Sequence, residues 1–345
     1  MWQTSSCTWS QIKTTLQLRS HTLYTASSHT SRPYTTAFGS SFADTCPLCP
    51  IHTPAPPPRD TIGHWLGSCS HPRLKSAYIA RHNRALCLIQ STLSRSSTTA
   101  WYTIMDATSS TNLPPGVAST RLPTWLLPNV PPDVLRLLRP DLLVIHGLSL
   151  AKYHSLSPLL ALHDPHTIAS LKSSCVLHPV ELTYTSDDNY NQSLLSKKSQ
   201  HYFLLSLLLD AGWTLPTTVP PPPLPPHLQT HPPPPVPLVS TLPTTTKLPP
   251  TVLASPPPSL AHHIHIIILT HSCTLSRSLQ SLLTIFSIPS HASHSLLCAL
   301  SIHTVRSSHA IVTTRRHLER DPTTFLHHSA RSTPPFRVNR THDPP

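Results

Sequence analysis

Apolar residues along this chain fall into short clusters separated by Ser, Thr, His and Pro, and the spacing inside each cluster predicts its element. Over residues 72–90, Leu74, Ala77, Tyr78, Arg81, Ala85, Leu88 and Ile89 recur at intervals of three and four, so the segment reads as a helix with one apolar and one basic face. Leu142, Leu143, Val144 and Ile145 form an unbroken apolar run, the pattern of a strand covered on both faces. Residues 176–185 alternate more loosely and supply a second strand. Ser186 and Asp187 suit the cap of a long helix reaching Asp210, with Gly212 as its stop. Tyr190, Leu194, Leu195, Leu204, Leu205 and Leu208 would form its buried face. The β-branched run 264–269 predicts a third strand, and 275–288 has helical spacing closed by Pro289. Residues 11–24 predict a modest helix, and a short one follows Pro131-Pro132-Asp133. Otherwise 101–138 reads as connecting chain.

These elements divide the chain into a poorly ordered N-terminal segment (1–45), a Cys/His segment with its helix (46–90), a connector (91–130) and an α/β core (131–215). Residues 216–260 follow, dominated by Pro and Thr, where polyproline II and disorder are expected. The core resumes with a strand and a helix in 261–320, a stretch that also holds Arg306, Arg315, Arg316 and Arg320. A Pro-rich tail closes the chain (321–345).

Composition sharpens the picture. The 345 residues include 42 Pro and only 6 Gly, and 11% are charged, against about 25% in ordinary globular chains. Ser, Thr and His must then carry solubility. The scarcity of Gly, Asp and Glu beside abundant Pro, His, Ser, Thr and Leu matches a cytosine-rich coding strand or a reading frame drifting without selection. With 25 Lys and Arg against 13 Asp and Glu, the formal charge is +12, which favours a polyanionic partner, DNA or RNA. No charged n-region with an apolar h-region opens the chain, so secretion is not expected and the eight Cys read as metal ligands or core residues rather than disulfides. Nor does any apolar run approach the roughly 20 residues of a membrane helix. A nuclear or cytoplasmic protein is expected.

Two constellations could carry chemistry. In the first, Cys46 and Cys49 are followed by His64 after fourteen intervening residues and by Cys69 after four more. Two thiolates in a CxxC turn grip one side of a Zn²⁺ ion, and a His and Cys five apart close the tetrahedron, giving a structural site with no open position. His71 competes with His64 for the fourth place, and His52 is a weaker rival. The second constellation is Asp141, after Arg139-Pro140, with Glu181 on the second strand and Lys197 on the long helix. Carboxylates at adjacent strand ends can hold Mg²⁺ or Mn²⁺, which polarises a phosphate and lowers the pKa of attacking water, while a lysine offsets the developing charge. Arg73, Lys75, Arg81 and Arg84 on the basic helix are the candidate phosphate contacts.

The segment CPLC…IGHWLGSCSHPRLKSAYIARHN, followed by YTIMDA, GVASTRLPTWLLP, RPDLLVIHGL and VELTYTSDDNYNQSLLSKKSQHYFLLSLLLDAGW, resembles the C-terminal region of non-LTR retrotransposon polyproteins, and 263–320 continues it more faintly. In that family a zinc knuckle precedes a restriction-like PD-(D/E)XK endonuclease. The resemblance implies an α/β fold with a small mixed sheet flanked by helices, cutting DNA with a divalent cation. It puts Asp141 at the Pro-Asp position, Glu181 at the second acidic position and Lys197 at the lysine position, since Thr183 stands where the usual lysine would follow. No polymerase Asp-Asp motif is present, so a separate reverse transcriptase is an expected partner. An active endonuclease, a binding module with a dead nuclease fold and a decayed frame without stable fold are the three outcomes to be separated.

Overall fold

The computed structural model describes residues 7–20, 23, 45–46, 48–49, 58–96, 101–105, 117–118, 122–135, 138, 140–185, 190–216, 263–271, 275 and 277–320. The elements in order are α1 (Trp9–Arg19), a π-helical turn (His64–Ser68), α2 (Pro72–Ser96), β1 (Trp101–Met105), β2 (Val117–Ala118), α3 (Pro132–Leu135) and β3 (Leu142–His146). They continue with α4 (Leu150–Ala161), α5 (Pro165–Ser174), β4 (Val176–Thr185), α6 (Tyr190–Asp210), β5 (His265–Thr270), α7 (Arg277–Ile285) and α8 (Ser290–Arg320). His52, Arg139, the Ser186 and Asp187 caps, most of the Pro-rich stretch 216–260 and the tail lie outside the described residues.

The fold is mixed α/β. A five-stranded sheet runs in the order β2-β1-β3-β4-β5, with β3 antiparallel to both β1 and β4 and with parallel pairs, β1–β2 and β4–β5, at the two edges. The unbroken apolar runs of β3 and β5 have the expected cause, because helices cover both faces of the sheet. On one face Leu143, Ile145, Leu177, Ile266 and Ile268 pack with Leu160 of α4, Leu171 of α5 and Leu204, Leu205 and Leu208 of α6. On the other, Leu142, Val144, Val180, Leu182, Ile267 and Leu269 meet Leu86, Ile89 and Leu93 of α2, Leu279 and Leu282 of α7, and Leu296 and Leu300 of α8. Truncating any of the fully buried leucines to alanine costs about 2–5 kcal/mol.

Several expectations change. The supposed connector contains β1, whose Tyr102 and Ile104 are buried against the sheet; five residues are too few for a clear period. The helices α4 and α5 bridge β3 and β4, capped by Ser149 and by Asp164 with Pro165 at the first helical position. Gly147 lets the chain leave β3 at φ 92°, since a Cβ there would meet Ser174 O at 2.6 Å. Leu195 points outward and is 67% exposed, whereas Gly212 terminates α6 as expected, at φ 82°. The arginine-bearing stretch after Pro289 belongs to one 31-residue helix, α8. Nor is the Cys/His segment a separate unit, because α2 shares the sheet's core and packs along α8.

Candidate metal centre and carboxylate cluster

The loop that holds Cys46 and Cys49 is closed by Cys46 N–H donating to Pro58 O at 2.9 Å and by a bridge between Thr45 and Arg59. The turn that follows is π-helical: Cys69 N–H donates to His64 O, five residues back, so both side chains leave on one side. The donor atoms of Cys46, Cys49, His64 and Cys69 all lie within 4.8 Å of one another, and all four residues are buried. Among the described residues this is the one group of three or more His, Cys, Asp or Glu so arranged, and His71, also buried, stands outside it. Sγ of Cys69 is 3.9 Å from Sγ of both Cys46 and Cys49, and Cys49 Sγ is 3.3 Å from His64 Nε2. A tetrahedral ion bound through thiolates at roughly 2.3 Å has ligand edges of about 3.8 Å, with a slightly shorter edge to nitrogen. The four residues therefore fit a metal ion, and the donor set is one that Zn²⁺ takes.

The surrounding groups support the same fit. His64 turns its other nitrogen to Ser68 Oγ at 3.2 Å, which orients the ring, and Ser70 Oγ donates to Cys49 Sγ at 3.4 Å. Burial alone would lower the His64 pKa, but contacts with the Cys49 and Cys69 sulfurs raise it to about 9. Hydrogen bonds from Cys46 and Cys69 favour the Cys49 thiolate, while the Cys46 thiol, donating within the same group, is pushed up.

The second constellation also converges. The β3–β4 register sets Leu142 opposite Val180, so Asp141 and Glu181 occupy the next rung, at the start of β3. Asp141 N–H donates to Glu181 Oε2 at 3.4 Å, and Lys197 Nζ of α6 donates to Glu181 Oε1 at 2.6 Å. Two residues missing from the sequence reading join them. His201, one turn beyond Lys197, brings Nε2 to 3.0 Å from Glu181 Oε2. His82, on α2, brings Nε2 to 3.1 Å from both Asp141 Oδ2 and Leu182 O. The i, i+4 spacing on α6 could have flagged His201, but in a chain with 26 His no single one stands out. Asp141 Oδ2 is anchored by Leu182 N–H at 2.7 Å.

Burial opposes charge on Glu181, yet the His201 contact and the Lys197 charge outweigh it and hold its pKa at about 2. Burial likewise disfavours charged His82, but Asp141 raises it to about 8. Glu181 is thus ionised at neutral pH. Among the described residues no group of three His, Cys, Asp or Glu placed to hold a metal ion includes either carboxylate.

The basic-helix residues divide. Arg73, Lys75 and Arg84 are exposed on α2. Arg81 is not on that surface: it is 3% exposed, donates to Leu66 O at 2.6 Å and lies 4.1 Å from the centre of the Tyr184 ring. Its intervals of three and four with Leu74, Tyr78 and Ala85 put it on the inward face. Among the described residues no helix is long and apolar enough to cross a membrane. In comparison with known proteins, no protein family matches this chain and neither does any curated protein.

Proposed function

We propose that the chain is a retrotransposon-derived nucleic-acid-binding protein that carries a divalent-metal-dependent DNA endonuclease-like site. The observation that carries this reading is the meeting of Asp141, Glu181 and Lys197, from three separate segments, at one end of a covered mixed sheet. The sheet order and its two helical layers suit the restriction-like fold that the resemblance implies. Zinc at the Cys46, Cys49, His64 and Cys69 corner is structural, because four buried protein ligands leave no open position. Arg73, Lys75 and Arg84, exposed on the helix that leaves this corner, meet the phosphate backbone.

Mg²⁺ or Mn²⁺ at the carboxylates would polarise a phosphate oxygen and acidify the attacking water. Asp141, fixed by Leu182 N–H, and Glu181 supply the anionic oxygens. Lys197, which donates to Glu181 Oε1, would offset charge developing on the phosphorus. Purified protein is expected to nick plasmid DNA with Mg²⁺ or Mn²⁺ and Asp141→Ala to abolish nicking; equal nicking by the variant rejects the site. One observation favours binding without cleavage as a second reading: both oxygens of Glu181 already face Lys197 and His201. Under that reading DNA or RNA binding is salt-sensitive and zinc-dependent, and neither cation produces nicks.

A further inference from the structure

An arginine is almost never wholly buried unless its charge is balanced and its donors are used. Arg315, near the end of α8, is 0% exposed. Its Nη1 donates to Cys46 Sγ at 2.9 Å and to Cys69 Sγ at 3.3 Å, its Nη2 to Asp60 Oδ1 at 2.7 Å, and its Nε to Glu319 Oε1 at 2.8 Å. The guanidinium carbon lies 5.1 Å from the centre of the Trp65 ring, and Trp65 Nε1 donates to the same Asp60 oxygen at 2.7 Å. Two ligand sulfurs, the loop before the π-helical turn and the C-terminal helix therefore meet at one side chain. Cys69 and Arg315 are 246 residues apart in the chain.

We infer that Arg315 is an outer-sphere member of the metal centre, and that docking of the C-terminal end of α8 and loading of the metal are a single linked equilibrium. The inference rests on reading the Cys/His corner as a zinc site. Three thiolates and one neutral imidazole around a dication leave one net negative charge in a buried place, and the guanidinium sets its positive charge beside it while also pairing with the Asp60 and Glu319 carboxylates. Coordinated thiolates keep lone pairs that accept N–H donors, and the planar fork of arginine reaches both sulfurs and the Asp60 carboxylate together, which a lysine cannot do. When the metal leaves, the two sulfurs that accept from Nη1 are no longer held together by a shared ion. Ile311, Val312 and Leu318 of α8, packed with Trp65, Leu66, Leu74 and the ligand cysteines, then lose the contact that pins them. Outer-sphere hydrogen bonds of this kind tune metal affinity by about ten- to a hundredfold.

The full chain tests this in two arms. In the first, zinc competition against a chromophoric chelator is expected to show Arg315→Met binding about ten- to a hundredfold more weakly than wild type, with partial recovery in Arg315→Lys. In the second, which needs no variant, hydrogen exchange of wild-type protein is expected to show residues 311–320 losing protection when zinc is removed and regaining it when zinc is restored. Zinc affinity of Arg315→Met within about twofold of wild type overturns the inference. Protection of 311–320 that ignores zinc overturns it too, and decides the matter if Arg315→Met does not fold. Wild-type protein that takes up no zinc removes the metal reading itself, and that outcome is recognisable before any variant is made.

Discussion

The thiol corner and the carboxylate cluster are both built on long-range contacts, but they are closed to different degrees. At the corner four donor atoms crowd together, all four residues are buried, and a fully buried arginine donates to two of the three sulfurs. At the strand ends the Glu181 side chain is 7% exposed, but Asp141 is 16%, His82 27% and Lys197 28% exposed. A closed site suits a structural ion, because no reactant could reach one held there. The carboxylate cluster keeps Glu181 and His201 inside and leaves Asp141, His82 and Lys197 partly open to solvent. The two centres also share one helix: α2 starts just after Cys69 and delivers His82 to Asp141, so loss of the corner should be felt at the cluster.

The contrast breaks most readily at the corner. Cys69→Ser is expected to abolish stoichiometric zinc and to lower unfolding stability by at least about 3 kcal/mol, because metal binding there is folding energy. Glu181→Gln should cost less, about 1–3 kcal/mol, since the amide still accepts from Lys197 and the lysine is partly solvated. Urea unfolding with zinc analysis checks both, and a larger loss at Glu181 would invert the assignment of which centre holds the fold.

Acid supplies a third reference point. His178 and His265, stacked on neighbouring strands with 3.3 Å between ring nitrogens, are held neutral by burial, His178 further by the His265 and His146 charges, at pKa values of about 3 and about 4. Their folded values lie below the unfolded value, so the stability that they protect is complete above roughly pH 6.5 and is lost as pH falls toward 4 and then 3. The urea midpoint should drop between about pH 7 and pH 4.5, and His265→Gln should flatten the drop. An unchanged slope in the variant would move the acid sensitivity to another buried imidazole, such as His271, whose pKa burial also lowers.

The smallest effect on stability belongs to the exposed face of α2. Replacing Arg73, Lys75 and Arg84 together with alanine should change stability by only about 0.5 kcal/mol. It should nevertheless reduce the slope of log affinity for duplex DNA against log salt by about 0.9 for each lost phosphate contact. Titrations at several salt concentrations read this directly, and an unaltered slope would place the nucleic-acid contact on another surface.

Much of the candidate chemistry was legible because it is written locally. The spacing of Cys46, Cys49 and Cys69 names three of the candidate ligands and leaves a nearby His for the fourth, and the β3, β4 and α6 patterns carry Asp141, Glu181 and Lys197, which the fold brings to one place. Other parts were not legible. Strand β1 is too short to show a period, α8 lies under a Ser, His and Arg pattern from which no element is expected, and Arg81 looks like a surface cation until its partners Leu66 and Tyr184 are known.

By itself, then, the sequence determined the ligand types, their order and the principal strands, because these depend on neighbours a few residues apart. Only the tertiary structure chose His64 over His71, brought His82 and His201 to the carboxylates, and buried Arg315 against sulfurs 246 and 269 residues away. Each of those choices follows from which helix covers which face of the sheet, and packing between distant segments leaves no period in the chain to read.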